Sequence, residues 1–241
     1  MKRLFSFSRL HLIPVAGFVL LIFLFSACKK TVDTGARQPA AGLMAFNLVP
    51  DKASIGVALS GNNFTNVPLF YTSYTGGYQG VFLGNRDVSS YDFSSHTTLA
   101  TTTQLFKDSA YYSLFVLGNN GNYSNIIVQD NLDSLSSTTG EAYVRFVNAI
   151  PDSSKPMVTI STNGTNVINS NAAYATVSDF TGVTPGDISI TVTNESTINT
   201  HRTISVEGGK IYTILLTGIP GETDAIKAVQ IKFITNGTIK P

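Results

Sequence analysis

The segment that decides the fold is AYVRFVNAIPDS, residues 142–153. Its first seven residues alternate in character, and the segments at 188–192 and 211–214 alternate in the same way. A period of two places one set of side chains on a buried sheet face and the other set in solvent. The pattern therefore predicts β-strands with one buried face and one exposed face.

The same segment occurs twice in the chain. FNLVPD at 46–51 matches VNAIPD at 147–152 with an offset of 101 residues, and YSLFVLG at 112–118 matches YTILLTG at 212–218 with an offset of 100. Two copies predict tandem domains, because a stacked repeat array needs three or more units. The shared asparagine and proline predict a strand exit followed by a turn, since asparagine side chains bond nearby backbone and proline has no N–H.

Turn-forming residues recur every 10–20 residues, and no segment after residue 41 keeps a helical period. About seven short strands per copy are expected from this spacing. The fold class is therefore all-β, with two tandem antiparallel β-sandwich domains of an immunoglobulin-like or transthyretin-like kind. The predicted boundaries are 42–131 for the first domain, 132–140 for a linker and 141–241 for the second domain, after a flexible tether at 28–41.

Three stretches of the second copy carry a family resemblance: AYVRFVNAIPDS at 142–153, YATVSDFTGVTPGDISITV at 174–192 and GGKIYTILLTG at 208–218. They resemble the bacterial family called domain of unknown function 4397. The first strand of that family contains an arginine and leads into Pro-Asp. The first copy departs from this pattern, with Met44 or Ala45 at the place of Arg145. The resemblance implies an extracytoplasmic β-sandwich and no established activity.

The N-terminal segment has the order of a bacterial signal peptide. Three basic residues, Lys2, Arg3 and Arg9, precede an apolar run at 12–25. The 14 residues of this run fall short of the roughly 20 needed to span a bilayer. The run ends in FSAC at 25–28, which resembles the lipobox of bacterial lipoproteins, with Phe25 where leucine is usual. We therefore predict a signal peptide over residues 1–27 and lipid attachment at Cys28.

The lipobox resemblance implies fatty chains such as palmitate on the cysteine. Two or three chains anchor a protein stably, because each buried CH₂ contributes about 0.8 kcal/mol. Lys29 follows the cysteine where an aspartate would favour the inner membrane, so the predicted location is the outer membrane, on its periplasmic side or at the cell surface. An ordinary secreted protein and an uncleaved N-terminal anchor are the alternatives.

The charge balance argues against nucleic acid as a partner. Three of the 16 basic residues and none of the 15 acidic residues precede Cys28, so the remainder carries a net charge of −2. A nucleic-acid binder needs a basic stripe that displaces counterions, and the sequence has none. The single cysteine also excludes an intramolecular disulfide.

The sequence contains no recognisable catalytic or metal motif. His96 and His201 are the histidines that follow Cys28, and they occupy different places in the two copies. Without a third histidine or a Cys/His cluster we predict no metal and no cofactor, and without a Gly-x-Ser-x-Gly elbow we predict that the chain is not an enzyme. The alternative is a hydrolase, whose cleft would bring one histidine against a carboxylate and a serine.

The most distinctive segment is the aromatic one at 70–93 in the first copy. Tyrosines on exposed strands can stack on sugar rings or anchor an interface, so the candidate binding residues are Tyr71, Tyr74, Tyr78 and Tyr91. The alternative is that these aromatics fill the sandwich core and its edges. The predicted function is an anchored cell-envelope module that binds a glycan or an envelope protein, with a structural spacer or envelope-assembly subunit as the alternative.

Overall fold

The computed structural model describes residues 38–136, 138, 140–194 and 196–239. The predicted signal peptide, Cys28 and the tether up to residue 37 lie outside these ranges. Residues 38–40 are irregular and the first strand begins at Ala41. In the described ranges the one helical element is a 3₁₀ turn at Leu132–Ser134, and no helix is long and apolar enough to cross a membrane.

The first copy forms two sheets. Its strands are β1 (Ala41–Leu48), β2 (Ser54–Leu59), β3 (Asn62–Asn63), β4 (Leu69–Phe70), β5 (Gln79–Val81), β6 (Gly84–Asp92), β7 (Thr98–Phe106), β8 (Tyr111–Asn119) and β9 (Asn122–Asp130). The sheet with the order β5-β1-β8-β9 is here called the inner sheet of this copy. The sheet with the order β3-β2-β6-β7, in which β4 also pairs with β2, is its outer sheet.

The second copy repeats this arrangement. Its strands are β10 (Ala142–Asn148), β11 (Met157–Thr162), β12 (Thr165–Asn171), β13 (Thr181–Val183), β14 (Gly186–Thr193), β15 (Asn199–Val206), β16 (Lys210–Thr217) and β17 (Gln230–Thr238). Its inner sheet has the order β13-β10-β16-β17 and its outer sheet the order β12-β11-β14-β15. The predicted all-β sandwiches are confirmed, and the exact domain boundaries stay a prediction.

The strand pairing is antiparallel with one exception in each copy. β1 runs parallel to β8, and β10 runs parallel to β16. Each of these pairs joins the first strand of a copy to a strand near the end of that copy. The beginning and the end of each copy therefore lie side by side at the centre of its inner sheet. The repeated parallel pair also shows that the duplication preserved topology as well as sequence.

Three of the four apolar clusters found among the described residues lie between sheets, and the smaller fourth cluster packs Tyr143, Ile211 and Ile239 against Leu132, Leu135 and Phe180. One lies between the inner and outer sheets of the first copy, around Leu43 and Val57, and a second lies between those of the second copy, around Val144 and Ile190. The third lies between the two inner sheets and takes residues from both copies, among them Phe46, Phe115 and Leu215. We call this third contact the seam.

The seam corrects one expectation from the sequence. All seven residues of β10 are buried, although their alternation predicted one solvent-facing side, and β16 is also buried along nearly its whole length. The second face of each strand packs against the other copy, so both faces lose contact with water. The prediction holds for β14, where Ile188, Ile190 and Val192 are buried and the residues between them are not.

The predicted strand exit is confirmed in both copies. Asn47 accepts a hydrogen bond from the backbone N–H of Val49 at 2.9 Å and donates to the carbonyl of Leu69 at 2.9 Å. Asn148 accepts from Ile150 at 3.1 Å and donates to Ala172 at 2.9 Å. Each asparagine is fully buried, so it satisfies backbone groups that water cannot reach.

Candidate functional site

The centre of the seam is polar. Arg145 on β10 reaches across from the second copy, pairs with Asp130 at the end of β9, and donates to the hydroxyl of Ser113 at 2.7 Å. Its Nε donates to Thr213 of its own copy at 3.0 Å. The side chains of Arg145 and Asp130 are 3% and 0% exposed, so the two charges meet away from water.

Aromatic rings enclose the Arg145 guanidinium. Its central carbon lies 4.4 Å from the ring centroid of Phe180 and 5.4 Å from that of Phe115. Such cation–π contacts strengthen when the cation is desolvated. Each guanidinium nitrogen also donates a hydrogen bond inside the protein. Arg145 therefore joins the two copies through its guanidinium.

The seam has a second half that matches the first by strand register. Met44 pairs with Ser113 as Arg145 pairs with Thr213. Asp130 lies two residues after the register partner of Ser113, and Asn236 lies two residues after that of Thr213.

The contacts across the seam follow the same correspondence. Arg145 meets Asp130 in one half, and Asn236 approaches the sulfur of Met44 at 4.0 Å in the other. The duplication therefore placed an ion pair in one half of the seam and a neutral Met–Asn contact in the corresponding half.

Three of the four candidate tyrosines lie half-buried at the seam. The Tyr71 hydroxyl is 2.6 Å from the hydroxyl of Thr217 in the other copy, and the Tyr74 ring stacks on Phe46 with centroids 5.5 Å apart. The Tyr78 hydroxyl donates to Asp130 at 2.6 Å. Burial, reinforced by the charge of Asp130, raises the pKa of the Tyr78 hydroxyl above its ordinary value, which keeps it protonated as a donor.

Tyr91 lies apart from these three, on β6 of the outer sheet. Its ring covers the backbone at Gly56 and stacks with Phe93 at a centroid distance of 6.4 Å. The four tyrosines thus divide between the seam and an outer sheet and do not share one face. Each has an internal contact that explains its position, and a ligand-binding role for them stays a prediction.

The two family-model matches cover most of the chain. The model described as "Domain of unknown function (DUF4397)" matches residues 41–154 and 142–236. The chain belongs to this family. The arginine expected in the first strand of a DUF4397 copy is Arg145, and the structure places it at the centre of the seam. The first copy belongs to the family as well, although Met44 replaces the arginine there.

No curated protein matches this DUF4397 chain. Among solved structures, a "putative cell adhesion protein" from Bacteroides uniformis ATCC 8492 is 11% identical with a TM-score of 0.25, and the match covers 82% of this chain and 98% of that one. A protein of the same description from Bacteroides eggerthii DSM 20697 is 9% identical with a TM-score of 0.22, covering 85% and 98%. The fold assignment rests on the strand pairings described above.

The two histidines of the described residues, His96 and His201, are both exposed and lie in different copies. His201 is on the edge strand β15, and His96 is in the turn after β6, beside the rings of Tyr91 and Phe93. Over the described residues no group of three or more His, Cys, Asp and Glu side chains could hold a metal ion.

The turn at His96 brings an aspartate, two serines and a histidine together in sequence. The Ser94 hydroxyl donates to Asp92 at 2.7 Å and not to the imidazole. Hydrogen bonds from Ser94, followed by those from Ser95 and Lys52, lower the pKa of Asp92 to about 2. This carboxylate therefore closes a turn, and the hydroxyl lacks the base that nucleophilic catalysis requires.

Exposed large apolar side chains concentrate in the first copy. Val67, Phe70, Phe82 and Leu105 are 66%, 60%, 67% and 48% exposed, whereas in the described part of the second copy only Ile226, at 69%, is comparable. Phe70 and Phe82 belong to the aromatic segment that the sequence singled out. The candidate tyrosines of that segment are half-buried, and its exposed aromatic rings are phenylalanines.

Proposed function

We propose that this DUF4397 protein is a non-catalytic binding module of the cell envelope, held at the outer membrane by a lipid on Cys28. Its ligand is an envelope glycan or protein, bound by the first copy. The supporting observation is the concentration of exposed apolar side chains there, above all Phe70 and Phe82. Phe82 borders an apolar cleft of this copy, and exposed apolar side chains that adjoin a cleft are typical of interaction sites.

The rigid seam favours a second candidate, a structural spacer. The buried Arg145–Asp130 pair and the apolar contacts around it join the copies through a continuous core. A spacer needs that rigidity but needs no exposed aromatic side chains. Binding measurements on the exposed phenylalanines therefore separate the two functions.

The first test replaces Phe70 and Phe82 together by serine in the full lipidated chain. Nanodiscs carrying the chain are passed over immobilised envelope polysaccharides and outer-membrane proteins of the source bacterium, with empty nanodiscs as the baseline. We expect at least a tenfold loss of retention, because truncating an aromatic side chain at an interface hot spot costs about 2 kcal/mol or more. The matched control is Ile226→Ser in the second copy. Equal retention of both variants and the parent would reject the binding function in favour of the spacer.

The proposed anchor has a separate test at Cys28. Expressed in a Gram-negative host fed radiolabelled palmitate, the full chain is expected to take up label and to gain the mass of its acyl chains. Cys28→Ser should abolish both, because serine has no thiol to acylate. The control is Lys29→Ser, which leaves the thiol in place. A mature N-terminus at another residue, or an unmodified sulfur, contradicts the anchor.

A further inference from the structure

A cleft of about 190 Å³ opens at one edge of the first sandwich. It lies between β3 and β5, which are the edge strands of the outer and inner sheets. Its apolar walls are Leu59, Phe64, Val81 and Phe82, and the polar side chains that line it are Asn62, Asn63 and Arg86. The cleft therefore joins the strongly exposed Phe82 ring to the end of the apolar core, where Leu59 and Phe64 pack.

Arg86 is the unusual member of this cleft. It lies on β6, two residues before Val88 and four before Ser90, and both of these are buried on the inward face of the sheet. Its side chain starts from that inward face, where an apolar residue is expected. One guanidinium nitrogen donates to the carbonyl of Leu83 at 3.0 Å, whereas Nε is buried and has no hydrogen-bond partner.

The Arg86 charge is also unpaired among the described residues, since the ion pairs found there involve other side chains. A guanidinium has five N–H donors in a planar fork, and the protein uses one of them here. Burying a charged donor without a partner is costly unless something else supplies the acceptor. Arg86 lines the cleft, so a ligand oxygen there would pair with guanidinium N–H groups other than the buried Nε.

The second copy shows what this position looks like without the arginine. Val88 pairs with Leu59 as Ile190 pairs with Ile160, so Arg86 corresponds to Ile188. Ile188 is fully buried within the apolar core of its copy. An apolar residue thus seals the sandwich in the second copy, and a half-buried cation replaces it at the same place in the first.

We propose that this cleft binds an apolar carboxylate, a hydrocarbon or aromatic group that carries one acidic group. The carboxylate pairs with the Arg86 guanidinium, whose fork matches two oxygens, and the apolar part lies against Phe64 and Phe82. Asn62 and Asn63 add polar groups at the rim, but most of the wall is apolar, so the cleft offers a hydrocarbon or aromatic group more contact than it offers a sugar. The inference rests on the proposed binding function and names the ligand chemistry of the first copy.

This ligand chemistry has two sources, a free organic acid and the C-terminal residue of a peptide. The first probe is 3-phenylpropanoate, with its neutral amide as the control ligand. The second is an N-acetylated Gly-Gly-Phe peptide with a free carboxylate, compared with the same peptide amidated. Calorimetry uses the full chain in nanodiscs, with the heat of empty nanodiscs subtracted.

At least one of the two acids is expected to bind, and its amide is expected to bind about tenfold more weakly or not at all. Arg86→Ile, which copies the second repeat, should lower the affinity for the acid by about tenfold or more. Lys107→Gln is the matched control, since it removes a positive charge from an exposed site in the same copy. Thermal melting of Arg86→Ile should match or exceed the parent, because isoleucine needs no acceptor.

Binding of the free acid alone identifies a small organic acid, and binding of the peptide acid identifies a C-terminal residue. The inference is overturned if neither acid binds, if acid and amide bind equally, or if Arg86→Ile binds as the parent does. If the parent chain is still retained on envelope components in any of those cases, the proposed function is not contradicted. If the parent chain binds an acid but is not retained on envelope components, the envelope partner is rejected and the cleft remains a binding site for an apolar carboxylate.

Discussion

Asp130→Asn is expected to lower the free energy of unfolding by about 3–5 kcal/mol, the range for breaking a buried ion pair from one side. Asp130 is the partner of the Arg145 guanidinium and accepts hydrogen bonds from Tyr78 and Ser113. Asparagine keeps the shape but leaves the Arg145 charge buried without a counter-charge. Urea denaturation followed by circular dichroism measures the loss.

The chain supplies its own control for this experiment. Asp130→Asn combined with Arg145→Met rebuilds the Met44–Asn236 contact of the other half of the seam. We expect the double variant to recover most of the stability, since replacing a buried ion pair by neutral groups of similar volume is often close to neutral. A double variant as unstable as Asp130→Asn, or a single variant within about 0.5 kcal/mol of the parent, would contradict this account of the seam.

Much of each sandwich could be predicted from local sequence. The alternation in β14 and the Asn-to-Pro turns depend on residues within a few positions of one another, so a single segment contains the needed information. The burial of β10 on both faces could not be predicted in this way, because its second face meets strands of the other copy, among them those of Asp130 and Ser113, which lie 15 and 32 residues from Arg145. One signal was present: Arg145 interrupts an otherwise apolar strand, and a buried arginine requires a partner.

The tyrosine segment was ambiguous for a different reason. A tyrosine has an apolar ring and a polar hydroxyl, so the same residue suits a wet binding face or a half-buried contact. Tyr78 makes a half-buried contact, because its hydroxyl donates a hydrogen bond to Asp130. Phenylalanine has no polar group to satisfy, so exposure of Phe70 and Phe82 follows from the surrounding strands and could not be read from residue type.

Asn148→Ala is expected to lower the free energy of unfolding by about 2–6 kcal/mol, because it leaves two buried backbone groups without a hydrogen-bond partner at about 1–3 kcal/mol each. The Ile150 N–H would lose its acceptor and the Ala172 carbonyl its donor. The control is Asn169→Ala, whose side chain accepts from the Thr159 hydroxyl at an exposed site of the same copy, where water replaces the lost bond. It should cost about 1 kcal/mol or less. Equal losses in the two variants would mean that the strand exit gains nothing from being buried, and that the asparagine shared by both copies serves only to turn the chain.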